Sequence, residues 1–167
     1  MGPEGTTQDA QSKYIMSERN RATAKVLFRV PNGDGSAQVE TLWAFDLGND
    51  QYKIDNSPFY AYSVSAEDVV YAPFNNDEGF PTFQRIVSKS GNRTVRVIFV
   101  EPGNESDVVL QGLVGLGCSY EGANEKYMSI NIPRSVDLDA VRTYLIQRNA
   151  TWEHADPTYA ELFPQDS

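Results

Sequence analysis

Between Lys25 and Val100 the chain rarely runs much beyond about ten residues without a turn signal, and between the turns apolar side chains recur at every second position. That cadence restricts this stretch to short antiparallel strands, each with one face turned to a core. Val26, Phe28 and Val30 alternate with Lys25, Leu27 and Arg29 up to Pro31. Asn32-Gly33-Asp34-Gly35 then supplies residues that tolerate positive φ. Beyond it Val39, Thr41, Trp43, Phe45 and Leu47 alternate with Glu40, Leu42, Ala44 and Asp46, so the two segments read as a β-hairpin. Gly48-Asn49-Asp50 turns the chain into a third strand with Tyr52 and Ile54. Further strands are expected at 59–64, 68–72, 82–89 and 94–100, where Val95, Val97 and Phe99 face one way.

After Pro102 the period changes. Val109, Leu110, Leu113 and Leu116 recur at helical spacing behind Asn104, an expected N-cap with Asp107 three residues on, and Gly117 is the natural stop. Strands at 118–121 and 126–132 surround Gly122-Ala123-Asn124. A second helix starts at Asp137, with Val136 and Val141 placed for a hydrophobic staple and Leu138, Val141 and Leu145 on one face, and ends near Asn149. The expected fold class is therefore α+β: a small curled antiparallel sheet or barrel over 21–93, followed by a β-α-β-β-α half over 94–155 with two helices packed on a sheet. Residues 1–20 are polar without an apolar period and read as a mobile arm. Residues 156–167 form an acidic C-terminal tail whose Tyr159, Leu162 and Phe163 favour docking.

At 167 residues the chain can bury roughly two-thirds of its unfolded surface without staples. Cys118 has no second cysteine to pair with, and no basic-then-apolar segment marks a secretory signal, so a cytoplasmic location is expected. No apolar run approaches the ~20 residues of a membrane span. The net charge of −9 repels phosphate backbones, so neither nucleic acid nor membrane is an expected partner. The charge is uneven. Residues 1–99 carry ten basic and twelve acidic side chains, and residues 100–167 carry four and eleven. The second half thus holds a negative field that either serves solubility or attracts a basic partner.

Chemistry legible from sequence is sparse. His154 is the sole histidine, and there is no Gly-X-Ser-X-Gly elbow to provide it with a nucleophile. A lone strand cysteine such as Cys118 is ordinarily an inert small hydrophobe. Structural zinc would need four ligands drawn mostly from Cys and His, of which the chain has two in all. The acids at Glu67-Asp68 and Asp77-Glu78 lack calcium-loop spacing and read as solvated turns. The glycines of 112–117 lie within and at the end of the first helix, not at its start, so they favour close helix-sheet packing over phosphate binding. No catalytic residue, metal ligand or cofactor is assigned. What remains is recognition surface: the aromatic turn Pro58 to Tyr62, with Phe59 and one of Tyr60 or Tyr62 in packing, and the second-half acids Glu105, Asp107, Asp139, Glu153 and Asp156.

The segments Glu40-Thr41-Leu42-Trp43-Ala44, Tyr52-Lys53-Ile54-Asp55-Asn56-Ser57-Pro58-Phe59 and Asp68-Val69-Val70, with the Ser90-Gly91 turn before Thr94-Val95-Arg96-Val97, resemble the bacterial family of domains of unknown function numbered 4265. The resemblance covers about residues 25–155. It implies a bacterial or phage-associated cytosolic protein and carries over no catalytic residues. The resulting expectation is a non-enzymatic protein-binding module, an immunity-type inhibitor that neutralises a toxin by presenting an acidic surface to a basic partner, with Tyr60 and Tyr62 as further contacts. The alternative is a small-molecule-binding domain or enzyme that uses the aromatic loop and His154.

Overall fold

The structure is a computed structural model that describes residues 21–166; the arm expected over 1–20 lies outside these. The described residues build two principal sheets and one two-stranded hairpin. The first is formed by β1 (Ala24–Pro31), β2 (Ala37–Gly48), β3 (Gln51–Ile54), β4 (Val69–Tyr71) and β7 (Arg85–Ser88), in that spatial order and antiparallel throughout. A short hairpin, β5 (Phe74–Asn75) with β6 (Phe80–Pro81), interrupts it. A bridge between Leu27 and Thr82 brings the chain before β7 back beside β1, so the sheet curls without closing into a barrel.

The second sheet has the order β11 (Thr151–Asp156), β8 (Arg93–Ile98), β10 (Tyr127–Ile132), β9 (Ser119–Gly122), again antiparallel. Helices α1 (Asn104–Gly115) and α2 (Leu138–Gln147) cover one of its faces, burying Val95, Val97, Ile130 and Ile132 against Val109, Leu113, Val141 and Leu145. Each such side chain, withdrawn from water, contributes about 1.5–3 kcal/mol. The chain is thus α+β, as its periods predict. Among the described residues no helix is long and apolar enough to cross a membrane.

Local chemistry explains both helix ends. Asp137 caps α2 by accepting from Asp139 N, and Val136 and Val141 join the same apolar cluster, as a staple requires. The cap of α1 is Gly103 rather than Asn104, because the Ser106 hydroxyl accepts from Gly103 N at 2.9 Å and fixes the first turn one residue earlier. Gly117, at φ 106°, ends that helix. Gly112 faces Tyr144, whose hydroxyl would lie 1.9 Å from a Cβ at that position. The glycine therefore serves helix-on-helix contact, not the helix-sheet contact its spacing implied.

Two strand expectations change. Residues 59–64 are not a strand, and Thr151–Asp156, where no element is expected from the sequence, is one. Both follow from a single packing choice. The second sheet's face away from the helices is polar, with Thr94, Arg96, Ser129, Glu121 and Glu153, and the 55–68 loop lies across it. Ser57 N donates to Glu121 (2.6 Å), Ser129 Oγ donates to Pro58 O (2.6 Å), Arg96 donates to Ala61 O (2.5 Å) and Ser63 N donates to Ala155 O (2.9 Å). Tyr127 OH donates to Phe59 O as well. Backbone groups that a strand would have spent on a ladder are satisfied by these side chains and by the Ala155 carbonyl.

The loop is held from the first sheet by Glu40. On β2 the more apolar alternate set, Val39, Trp43 and Leu47, points outward, while Glu40, Leu42 and Ala44 are buried. The Glu40 carboxylate accepts from three successive amides, Phe59 N at 2.6 Å, Tyr60 N at 3.1 Å and Ala61 N at 3.0 Å. Its removal leaves those donors without an acceptor, at ~1–3 kcal/mol per buried orphan. Glu40→Ala is expected to lower unfolding free energy by about 3 kcal/mol, and Glu40→Gln by less, since its amide oxygen still accepts. The exposed neighbour change Thr41→Ala is expected to stay within about 0.5 kcal/mol. Denaturant midpoints of the three variants check this ordering.

Candidate ligand-binding cleft

Strand β11 lies at the edge of the second sheet, and its alternation sends Trp152 and His154 to the helix side and Glu153 to the loop side. Directly after it the chain turns through Pro157 into the single-turn α3 (Tyr159–Leu162). Thr158 caps α3 by accepting from Glu161 N, while Glu161 in turn accepts from the Ser63 hydroxyl at 2.7 Å. Those bonds pin the tail to the loop. Tyr159 and Phe163, four residues apart, then lean on the imidazole, with ring centroids 6.4 and 6.5 Å from it, while Trp152 meets it edge-on at 4.7 Å.

The result is a cleft of about 660 Å³ lined by Tyr62, Arg142, Ile146, Trp152, His154 and Tyr159. Most of its wall is aromatic or aliphatic. His154 Nδ1 is buried with no hydrogen-bond partner, and so is Arg142 Nε. Arg142 stacks its guanidinium 4.9 Å over Phe163 and reaches Asp139 at 3.1 Å. Burial, and then the Arg142 charge, hold His154 below its ordinary value near 6.5, so the imidazole is neutral at physiological pH.

On the other side of β11, Glu153 is half-exposed and accepts from the Tyr62 hydroxyl at 3.1 Å on each oxygen. Arg96, 1% exposed, lies 4.6 Å beneath the Tyr62 ring and forms an ion pair with Glu153 at 3.5 Å. Burial, followed by the Glu153 charge, raises the Tyr62 phenol above its usual range. Tyr62 is therefore a neutral hydrogen-bonded ring at the cleft rim, not an activated phenolate.

The residues singled out from sequence scatter. Tyr62 and Glu153 meet at the cleft. Tyr60 stacks on Tyr127 at 5.8 Å and remains 38% exposed, so both Tyr60 and Tyr62 keep surface, not one of the two. Glu105 and Asp107 are exposed at the start of α1 and Asp139 at the start of α2. Because the helices run antiparallel, with the α1 start beside Arg148 and Asn149 at the α2 end, these acids occupy opposite ends of the layer. Asp156 is 4% exposed and accepts from Ser65 Oγ (2.6 Å) and Lys89 Nζ (2.7 Å), so it belongs to the interior and cannot face a partner.

Asp68, expected in a solvated turn, is likewise fully buried, accepting from Ser90 N, Ser65 N and Lys89. Burial alone would push the Lys89 ammonium down, but the bonds to Asp156 and Asp68 outweigh it and raise its pKa. Cys118 is buried and its thiol is pushed up to about 11, the mark of an inert side chain. Arg142, Trp152 and Tyr159 were missed as site residues. The Trp152/His154 alternation and the Tyr159/Phe163 spacing were the available signals.

A curled open sheet joined through a polar loop to a helix-covered sheet, with a cleft on an edge strand, defines a layered α+β protein. The model of a family described as a domain of unknown function, DUF4265, matches residues 40–155, and the chain belongs to that family. A solved structure of a hypothetical protein from Neisseria gonorrhoeae is similar in fold, with a TM-score of 0.72 at 14% identity over 84% of this chain and 99% of that one. No curated protein matches.

The neutral His154 carries a pH signature. Its folded pKa lies below the unfolded one, so the unfolded chain takes up the proton first. The stability tied to a neutral His154 is complete above pH 6.5 and declines as pH falls toward the folded value. Between about pH 7 and about pH 5, melting temperature is expected to fall more steeply in wild type than in His154→Gln. Parallel slopes in thermal melts of the two proteins would remove His154 from the account.

Proposed function

We propose that the protein binds a small planar ligand carrying an anionic or hydrogen-bond-accepting group in the cleft on β11. The observation that carries this reading is a mostly apolar cleft whose wall includes His154, a residue whose buried Nδ1 has no partner. A buried polar atom without a partner costs stability unless something satisfies it. The volume lies within the ~300–1,000 Å³ of small-molecule sites. Trp152 and Tyr159 offer ring surface, Arg142 a cation and His154 a neutral nitrogen. Binding is favoured over catalysis because the nearby hydroxyls are already engaged, Tyr62 with Glu153 and Thr158 with Glu161.

The probes for this reading are benzoate, indole-3-carboxylate and their uncharged amides. The carboxylates are expected to raise the melting temperature in proportion to the logarithm of concentration, the amides less. Arg142→Gln is expected to abolish the difference, His154→Ala to weaken both, and Cys118→Ser to change neither. An absence of any shift at millimolar carboxylate, or one that survives Arg142→Gln, would overturn the assignment.

A second reading, inhibition of a basic toxin through an acidic surface, is favoured by Glu101 and Glu105, which line an open groove of about 590 Å³ at the start of α1, with Asp107 exposed on the same turn. Electrostatic steering of this kind acts on association rate. Against a basic partner captured from the native organism, Glu105→Gln with Asp107→Asn is expected to slow association severalfold at low salt while dissociation hardly changes. A flat dependence of association rate on ionic strength would assign the acids to solubility.

A further inference from the structure

The outward face of the first sheet reverses the sign of the whole molecule. Its outward-pointing strand positions are Lys25 and Arg29 on β1, either side of the buried Leu27, Val39 through Leu47 at alternate places on β2, Gln51 and Lys53 on β3, Val69 and Tyr71 on β4, and Arg85 and Val87 on β7. None of them is acidic, although the chain carries 23 acids. Glu78, from the β5–β6 hairpin, pairs with Arg29. Lys25, Lys53 and Arg85 form no ion pair among the described residues.

Each of those three cations instead lies over a ring directly opposite it in the register. Lys25 pairs with Trp43 at 4.6 Å, Lys53 with Phe45 at 5.2 Å and Arg85 with Tyr71 at 4.7 Å. Cross-strand pairs of this kind steady a sheet. They do not require that all three lie on one face whose strand positions carry no acid, nor that Trp43 keep 44% of its surface in water.

We propose that this face binds single-stranded nucleic acid, its rings stacking on bases and its cations meeting phosphates. The charge-complementary partner is an anion, and the rings narrow it further: an acidic polypeptide would use the cations and leave Trp43, Phe45 and Tyr71 idle. Trp43 and Phe45 are two residues apart on one strand, roughly 7 Å, and rings at that separation can receive neighbouring unstacked bases. The net charge of −9 opposes approach from a distance, and within a Debye length of about 8 Å the local face governs. The site shares no residue with the cleft on β11, so the fate of either assignment leaves the other standing.

The test uses fluorescein-labelled oligothymidylate, the same sequence as a duplex, and labelled polyglutamate of matched charge, followed by anisotropy. Single strand is expected to bind with a logarithmic salt slope of about −2, three phosphate contacts at ~0.7 each. Trp43→Ala is expected to weaken it roughly fivefold or more. The triple change Lys25→Gln, Lys53→Gln, Arg85→Gln is expected to weaken it at least about tenfold and flatten the salt slope. All four positions are at least partly exposed, and circular dichroism with a thermal melt verifies that the variants fold. Single-strand binding that neither variant reduces, or no binding at all, overturns the proposal. Polyglutamate bound as tightly as oligothymidylate, with Trp43→Ala indifferent, overturns it in favour of an acidic protein partner, and equal binding of the duplex overturns the stacking.

Discussion

The arrangement depends on one ion cluster, in which two buried carboxylates meet a lysine that stays 43% exposed. Asp68, at the end of the long loop, and Asp156, at the end of β11, share the Lys89 ammonium, at 2.5 and 2.7 Å. The carboxylates are almost wholly removed from water, and buried charges persist only when paired and hydrogen-bonded. Here they are, because Ser65 and Ser90 supply further donors and Lys89 also donates to Ser63 O. The three charged residues come from the loop, from the turn after β7 and from β11. Satisfying them fixes where the first sheet ends, where the loop lies and where the last strand docks.

From that anchor the loop runs back across the polar face of the second sheet, and its 59–61 stretch hangs from Glu40. Between the two anchors the bond from Arg96 to Ala61 O and the Tyr62 ring over the guanidinium leave the loop little choice of path. The cleft is a consequence. Tyr62 reaches the rim of β11 because the loop is held at both anchors, and Tyr159 reaches the other rim because Glu161 binds Ser63. A site assembled from a loop, an edge strand and a one-turn helix owes its shape to polar contacts, while the two apolar clusters set only the layers that carry it.

Charge is segregated along the same lines. The helices and tail carry most of the negative excess, and the exposed face of the first sheet carries cations seated on rings. Such separation within one small molecule is a matter of solvation as well as partners. The acids at helix starts favour the macrodipole, whereas cations on a half-exposed sheet gain from ring quadrupoles that acids would oppose.

Hydrophobic period alone determined the existence and type of most elements. The β1–β2 hairpin, the two helices with the Asp137 cap and Val136/Val141 staple, and the inward set Val95, Val97 and Phe99 all follow from local rules that act within a few residues. It failed wherever a polar side chain is buried. Glu40, Asp68, Arg96 and Asp156 look like solvent-facing residues in sequence, because nothing nearby in the chain announces the partner that will neutralise them. Thr151–Asp156 carries only Trp152 and His154 on its inner face, too short an apolar alternation to stand out as a strand, whereas the aromatic run of 59–64 suits one. Only the tertiary structure decided these, since the bonds that satisfy Glu40 span about twenty residues and those of Asp156 about ninety. The cleft residues share that fate: sequence brought out Tyr62, Glu153 and His154 one by one, and the packing of a loop against an edge strand brought them together.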